Sequence, residues 1–216
     1  MTDKRLVYIL DDDVRVCSSL KSLLGSLGLD SVSFHSAQAY TSYRKQEAVS
    51  CLLLDINLPD ANGLVLQQEL DSSENPPIIF LTGYGDIASS VQAMKRGAID
   101  FLPKPFQKSE LLRAINEAFE KDMKSRMVRA ELSQLHSRYS SLTPREREVL
   151  PLIVAGYLNK QTAAVLGIRE ITCQVHRAQI MKKMSARSLA DLVRMATKLE
   201  VPLPAFYGEE RTSASV

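Results

Sequence analysis

Residues 6–13 read LVYILDDD, five apolar residues followed directly by three aspartates. An apolar run this short, closed by polar residues, is typical of a strand buried on both faces of a parallel sheet. The pattern recurs at residues 51–55 (CLLLD) and 78–82 (IIFLT), and each run again ends in an oxygen-bearing side chain. These three stretches decide the fold, because a parallel sheet with both faces covered buries all of them.

Two weaker runs complete the pattern, at residues 31–35 and 99–102. Helical patterns separate the strands, for example at residues 87–96 and 109–119. The alternation predicts an α/β fold, a doubly wound five-stranded parallel sheet of the flavodoxin-like type.

Polar side chains follow three of these strands closely and a fourth at short distance. They are Asp11, Asp12, Asp55, Thr82 and Lys104. Because ligand sites in such sheets lie at the carboxyl ends of the strands, we expect all five to share one crevice.

Three carboxylates in one crevice repel each other unless a cation neutralises them. Mg²⁺ suits such a site, since it binds carboxylates together with waters and phosphate oxygens. Thr82 and Lys104 would then face the oxygens of a phosphoryl group. Asp55 is the best nucleophile because it ends the predicted central strand, so the residues predict formation of an aspartyl-phosphate.

The composition excludes several classes of protein. The 216 residues are 45% hydrophobic and 24% charged, which is globular, and the length predicts one large or two small domains. No apolar run approaches the roughly 18 residues of a membrane span, and the N-terminal run is too short for a signal peptide. The three cysteines have no metal-site or disulfide spacing, so we expect no membrane association and a cytoplasmic location.

Charge divides the chain. Residues 1–120 carry 11 Lys and Arg against 16 Asp and Glu, whereas residues 143–200 carry 10 against 5. An acidic front and a basic rear indicate two domains with different partners, the rear one a candidate for polyanion binding. We expect domains at 1–121 and 142–200, a linker helix at 122–141, and a tail at 201–216.

The linker carries an apolar seam with heptad spacing: Val128, Leu132, Leu135, Tyr139 and Leu142. A seam of two heptads fits either of two structures. It pairs with a second copy of the chain, or it packs on its own domain.

The rear segment has clear helix punctuation. Residues 143–146 (TPRE) form a capping box with proline at the first helical position, and Gly156 is a stop signal. Further helices are predicted at 159–166, capped by Asn159, and at 170–184, and Ser188 opens a fourth. Four short helices with a tight turn before the third predict a helix-turn-helix.

Two residues depart from good helix design. Pro151 lies inside the first of these helices, where we expect a kink costing about 3 kcal/mol. Arg169 stands where a capping side chain normally opens the third helix, and loss of a cap costs about 0.5–2 kcal/mol.

The front half resembles the receiver domains of bacterial two-component response regulators. The resemblance lies in four blocks, at residues 10–13 (LDDD), 54–59 (LDINLP, with Gly63), 81–83 (LTG) and 101–106 (FLPKPF). Residues 82–98 look like the FixJ branch. The rear block LTPREREVL at 142–150, with VHR at 175–177, resembles the LuxR-type helix-turn-helix.

This resemblance assigns roles at the crevice. Asp55 would accept a phosphoryl group from a sensor histidine kinase. Asp12, Asp55 and the backbone carbonyl of Asn57 would hold Mg²⁺, with Asp11 acting mainly through water. Lys104 would pair with the phosphoryl group, next to a cis Lys104–Pro105 peptide bond.

The resemblance also implies a conformational switch. Thr82 would move toward the phosphoryl group and the ring of Phe101 would follow it inward, and the altered surface would form a homodimer. Asn57 and Tyr84 would set the rate at which water hydrolyses the aspartyl-phosphate. The chain would not otherwise be an enzyme.

In the rear domain, residues 170–184 would be the recognition helix in the major groove of double-stranded promoter DNA. The outward side chains Gln174, Val175 and Ala178 would face the bases. Gln174 matches adenine and Ala178 the thymine methyl group, which predicts A·T-rich half-sites. Phosphate contacts are expected from Lys160, Arg177, Lys182 and Lys183.

The predicted function is therefore a phosphorylation-gated transcription regulator, by family habit an activator that works with RNA polymerase, of catabolic or nitrogen-fixation operons. Two alternatives fit less well. A Mg²⁺-dependent phosphatase of the haloacid-dehalogenase type needs an aspartate at the position of Asn57. A ligand-sensing regulator of the quorum-sensing type would lack the four receiver blocks.

Overall fold

The computed structural model describes residues 4–70, 75–83 and 87–204, without the side chains of 87–89. The chain divides into two compact units, Met1–Met127 and Val128–Val216, which are described separately.

The first unit contains a five-stranded parallel sheet with the order β2-β1-β3-β4-β5. Its elements are β1 (Arg5–Leu10), α1 (Val14–Ser26), β2 (Asp30–Phe34), α2 (Ala37–Thr41), β3 (Val49–Asp55), α3 (Gly63–Glu69), β4 (Ile78–Thr82), α4 (Ile87–Lys95), β5 (Asp100–Pro103) and α5 (Lys108–Ser140), of which α5 continues beyond the unit. The predicted doubly wound fold is confirmed, and β3 is its central strand.

Both faces of the sheet are buried, as the short apolar runs predict. Tyr8 and Leu54 point into one core, beneath α2, α3 and α4. Ile9 and Leu53 point into the other, which α1 and α5 cover. Alternate residues of each strand thus serve opposite cores, which leaves the strand ends for polar side chains.

Helix α3 begins very close to the end of β3. A Cβ atom at Gly63 would lie 2.5 Å from the Asp55 carbonyl oxygen, and the Gly63 amide donates to the Ile56 carbonyl at 2.7 Å. Glycine is therefore required at this position, because any side chain would push α3 away from the strand that carries Asp55.

The second unit is helical. It contains the end of α5, then α6 (Pro144–Val154), α7 (Asn159–Leu166), α8 (Glu170–Met184) and α9 (Leu189–Lys198). The capping box of α6, the Gly167 turn after α7 and the Ser188 cap of α9 are confirmed.

One detail of these helices differs from the expectations. Leu158, not Asn159, is the N-cap of α7, and its backbone amide donates to Gln161 Oε1 at 2.8 Å. Pro151 lies in the last turn of α6, which runs to Val154, and the kink expected there stays a prediction. Arg169 does precede α8 without a side-chain cap, and its carbonyl accepts from the Thr172 and Cys173 amides.

The apolar seam of the linker is divided in two. Leu135 and Leu142 are buried in the core of the second unit, with Tyr139 packed against them. Val128 and Leu132 are exposed. The second half of the seam therefore packs on its own domain, the alternative to pairing that the spacing left open.

Two further observations concern the ends of the chain and the membrane. Val201, which the sequence assigns to the tail, is buried in the same core. Of the helices in the described ranges, none combines the length and the apolar character that a membrane span requires.

We expect Gly63→Ala to lower the free energy of unfolding by about 1–3 kcal/mol, because the new methyl group overpacks the β3–α3 junction. Urea denaturation measures the change. Gly25→Ala in α1 is the matched control, since nothing lies within 4 Å of a Cβ atom there. That control should stabilise the chain by about 0.5–1 kcal/mol. Equal effects of the two substitutions would contradict the close approach.

Candidate functional site

The polar side chains predicted to converge are brought together at one edge of the sheet. Asp11 and Asp12 follow β1, Asp55 ends β3, Thr82 ends β4, and Lys104 follows β5. Four different strands thus contribute to one crevice, and the common parallel direction of the strands is what makes their ends meet.

The Lys104 ammonium group bridges two carboxylates. Its Nζ donates to Asp11 Oδ2 at 2.6 Å and to Asp55 Oδ2 at 2.7 Å. Asp11 is only 1% exposed and Asp55 only 7%. Two nearly buried negative charges therefore share one positive charge, and the crevice keeps an excess of negative charge.

Burial raises the pKa of the Asp11 carboxyl above its usual value, although the hydrogen bond and charge of Lys104 oppose the shift. Against the opposing effect of its own burial, the bonds to Asp11 and Asp55 hold the pKa of Lys104 above its usual value. The ammonium group consequently stays charged at neutral pH, where it faces the candidate nucleophile.

Three carboxylates are close enough to hold a metal ion. Oxygens of Asp11, Asp12 and Asp55 all lie within 4.8 Å of one another, and Asp12 is exposed to solvent. Such a set of hard oxygen donors, open to water on one side, fits Mg²⁺. The backbone amide of Asn57 donates to Asp55 Oδ1 at 3.2 Å, which fixes the loop after β3 against the same carboxylate.

The remaining receiver residues are placed as follows. Thr82 is buried, and its carbonyl accepts from the Lys104 amide at 2.6 Å. Phe101 is half-buried, with its ring centre 6.1 Å from that of Phe80. The cis Lys104–Pro105 peptide bond is confirmed. Tyr84 lies outside the described residues.

Sequence reasoning missed two contacts that position Asp11. Its backbone carbonyl accepts from Cys17 Sγ at 3.4 Å and lies 3.1 Å from His35 Nδ1, which donates there in its Nδ1–H form. Neither residue belongs to a motif, so the only signal was their place, on α1 and directly after β2.

A third missed residue is Asp60, in the loop that follows Asp55. Its carboxylate accepts from the amides of Ala37 and Gln38 at 2.9 and 3.0 Å. These backbone hydrogen bonds lower the pKa of Asp60. Asp60 therefore ties the loop of the nucleophile to the start of α2.

Helix α8 presents its two faces as predicted. Cys173, Ile180 and Met184 are completely buried. The side chains of Gln174, Val175, Ala178 and Lys182 are exposed, as is that of Lys160 on α7. Arg177 is half-buried and donates to Asn159 Oδ1 at 3.4 Å.

Lys183, one of the expected phosphate contacts, also has a partner inside its own domain. Its Nζ donates to Glu146 Oε2 at 2.7 Å, and the Glu146 side chain is only 5% exposed. The same carboxylate accepts from the Thr143 amide in the capping box. Lys183 therefore neutralises a buried charge inside its own domain, and its contact with a DNA phosphate stays a prediction.

Comparison with known proteins agrees with this geometry. Residues 7–116 match the family described as response regulator receiver domain, and residues 140–196 match bacterial regulatory proteins of the luxR family. The chain belongs to the response regulators that join these two domains.

Individual relatives cover almost all of the chain. Nodulation protein W of Bradyrhizobium diazoefficiens is 45% identical over 199 residues, 92% of this chain and 88% of the relative. The solved structure of the response regulator StyR is 43% identical, with a TM-score of 0.77 over 90% of this chain and 99% of that one. Full-length FixJ from B. japonicum is 35% identical, with a TM-score of 0.52, and the match covers 93% and 100% of the two chains.

These matches confirm the predicted function of a DNA-binding transcription regulator whose receiver domain implies gating by phosphorylation. The family is one of transcription regulators and not of classical enzymes. The family matches therefore exclude the phosphatase alternative. The quorum-sensing alternative falls too, since a receiver domain occupies the front half.

Adjacent lysines should behave differently when each is replaced by methionine. Lys183→Met should lower the free energy of unfolding by about 1–3 kcal/mol at pH 7, because buried Glu146 loses its partner. Lys182→Met should change stability by less than about 0.5 kcal/mol. It should instead weaken binding to all DNA sequences and reduce the salt slope by about 1. Urea denaturation and DNA titrations at several salt concentrations measure these effects.

The stability difference at Lys183 should depend on pH. Against the opposing effect of burial, Lys183 and the capping-box bonds hold the pKa of Glu146 below its usual value. This stabilisation is present above the unfolded pKa of about 4.3 and is lost as the pH falls through the folded pKa. If Lys183→Met destabilises the protein as much below the folded pKa of Glu146 as it does at pH 7, that result would contradict the ion pair.

Proposed function

We propose that Asp55 accepts a phosphoryl group from a sensor histidine kinase, and that this modification drives dimerisation and binding to promoter DNA. The observation that carries the proposal is the bridge from Lys104 to Asp11 and Asp55. A carboxylate held beside a permanently charged ammonium group has a partner ready for the oxygens of an incoming phosphoryl group.

The side chains divide the work of phosphoryl transfer. A carboxylate oxygen of Asp55 bonds to the phosphorus atom. The P–N bond of the phosphohistidine breaks, and the histidine nitrogen departs. Lys104, at 2.7 Å from Asp55, pairs with the negative charge of the transferred group. Asp12, Asp55 and the backbone carbonyl of Asn57 would hold Mg²⁺, with Asp11 acting through water. The ion would neutralise charge on the phosphoryl oxygens.

Phosphorylation replaces one carboxylate charge by a larger group with more acceptor oxygens. This change shifts the equilibrium between two conformations of the receiver surface. Thr82 carries a hydroxyl group at the end of the next strand, β4, and Phe101 lies half-buried on β5, the strand beyond it. We propose that Thr82 moves to the phosphoryl group and Phe101 turns inward. The surface of α4 and β5 then forms a homodimer. Asn57 and Tyr84 set the slow loss of the phosphoryl group to water.

The rear domain reads DNA with α8 in the major groove. Gln174, Val175 and Ala178 face the bases, and Lys160, Arg177, Lys182 and Lys183 contact phosphates. We propose activation of transcription through RNA polymerase. A regulator that meets both its kinase and the promoter works in the cytoplasm. The domain limits 1–121, 122–141, 142–200 and 201–216 remain a proposal, although the compact units divide at Met127 and both Leu135 and Val201 are buried in the core of the rear unit.

Wild-type protein treated with acetyl phosphate and Mg²⁺ should gain the mass of one phosphate. It should also shift from monomer toward dimer and bind DNA more tightly. Asp55→Asn should do none of these, because an amide does not attack phosphorus. Intact-mass spectrometry, light scattering and DNA titration report the three effects.

Asp60→Asn is the matched control, a carboxylate on the same loop that lies outside the acidic cluster. It should be phosphorylated like the wild-type protein. A phosphate on the Asp55→Asn protein would remove Asp55 from its role. Full phosphorylation with no change in oligomeric state or DNA affinity would refute the gating.

Millimolar Mg²⁺ should raise the melting temperature of the wild-type protein, because the ion binds the folded state only. Asp12→Ala should reduce this shift by removing one carboxylate of the cluster. Asp13→Asn is the control, since the Asp13 carboxylate caps α1 through the Arg15 amide at 2.8 Å and an asparagine keeps that cap. Calorimetry with and without metal tests this. Equal shifts in the two variants would show that Asp12 is no ligand.

A further inference from the structure

The outward face of α8 is apolar near its N-terminus. Ile171 is 59% exposed and Val175 is 54% exposed, and both belong to the described part of the helix. At about 100° per residue, Ile171 points almost directly away from buried Cys173. Ile171 and Val175 are four residues apart, so their side chains are neighbours on the helix surface.

The charges around this apolar pair are mainly positive. Arg169 precedes α8 and is exposed, Lys182 lies on the same outward stripe, and Glu170 is the one acidic residue in the sequence of α8. This combination suits an occupant that is polyanionic overall but offers apolar groups at its centre. The major groove of duplex DNA is such a surface, since the C5-methyl group of each thymine projects into it.

We propose that Ile171 is a specificity-determining residue that contacts a thymine methyl group beside the bases that Val175 faces. The inference rests on the proposed docking of α8 in the major groove. Ile171 lies in the first turn of α8, and N-terminal residues of a recognition helix are the ones that reach base edges. An isoleucine donates and accepts no hydrogen bond, so the methyl group of thymine is the one base feature that it distinguishes.

The size of the effect follows from the area of one methyl group. Removing a methyl group from an apolar contact weakens binding by about three- to fivefold. No phosphate contact changes, so the salt dependence of binding stays the same.

The test uses the full chain treated with acetyl phosphate and a duplex obtained by selection from random sequences. Each thymine of the selected site is replaced in turn by deoxyuridine, which lacks only the C5-methyl group. Wild-type protein should lose about three- to fivefold in affinity at the position that Ile171 contacts. Ile171→Ala should bind thymine and deoxyuridine equally there, and Ile171→Val should keep part of the preference.

Val165→Ala serves as the control, because Val165 is a similarly exposed apolar residue (56%) on α7. It should show the wild-type response at every thymine. If Ile171→Ala keeps the full set of wild-type responses, or no thymine responds in the wild-type protein, the assignment of Ile171 is wrong. A wild-type protein that selects no sequence at all would refute the docking of α8 itself, a result distinct from the loss of one methyl contact.

Discussion

The bridge from one lysine to two buried aspartates depends on the order of the strands. Asp11 directly follows β1 and Asp55 ends the neighbouring strand β3, with Leu10 paired to Leu54 in register. Lys104 comes from the far side of β4, about 10 Å from β3 at the usual strand spacing. A long flexible side chain is needed to span that distance, and the Lys104 backbone amide donates to the Thr82 carbonyl at 2.6 Å, which holds the start of that side chain at the end of β4. The sheet order β1-β3-β4-β5 is thus a condition for the chemistry.

The features that the sequence predicted well are those encoded locally. A continuous apolar run marks each of β1, β3 and β4, and the polar residue that closes the run marks the edge where the site lies. Asp55 and Thr82 are the last residues of their strands in the structure. Helix α8 has the predicted limits: it begins after its N-cap residue Arg169 and ends before Ser185, whose φ lies in the left-handed region. Because the strands of the sheet are parallel, their carboxyl ends lie at the same edge, and the polar residues that close the apolar runs meet there.

The features that the sequence did not predict depend on distant partners. Asp60 caps α2 across 23 residues, and Lys183 pairs with Glu146 across 37. His35 reaches the Asp11 carbonyl across 24 residues. Nothing in the local pattern of these residues distinguishes them from ordinary surface polar groups. Their roles appear only when packing removes water from one partner, since an exposed charge gains little from pairing and a buried one loses much without it.

Lys182 and Lys183 show what this means for reading a DNA-binding surface from charge. The basic excess of residues 143–200 predicts a polyanion, but it counts every lysine alike. Rotation by one residue along α8 turns Lys182 toward solvent and Lys183 toward a carboxylate in the α6 capping box. The first charge remains available to a phosphate, whereas the second already neutralises a buried group and stabilises the fold. On the proposed docking of α8, Lys182 is therefore the stronger candidate for a phosphate contact, and the exposed apolar residues of the same face are the candidates for reading sequence.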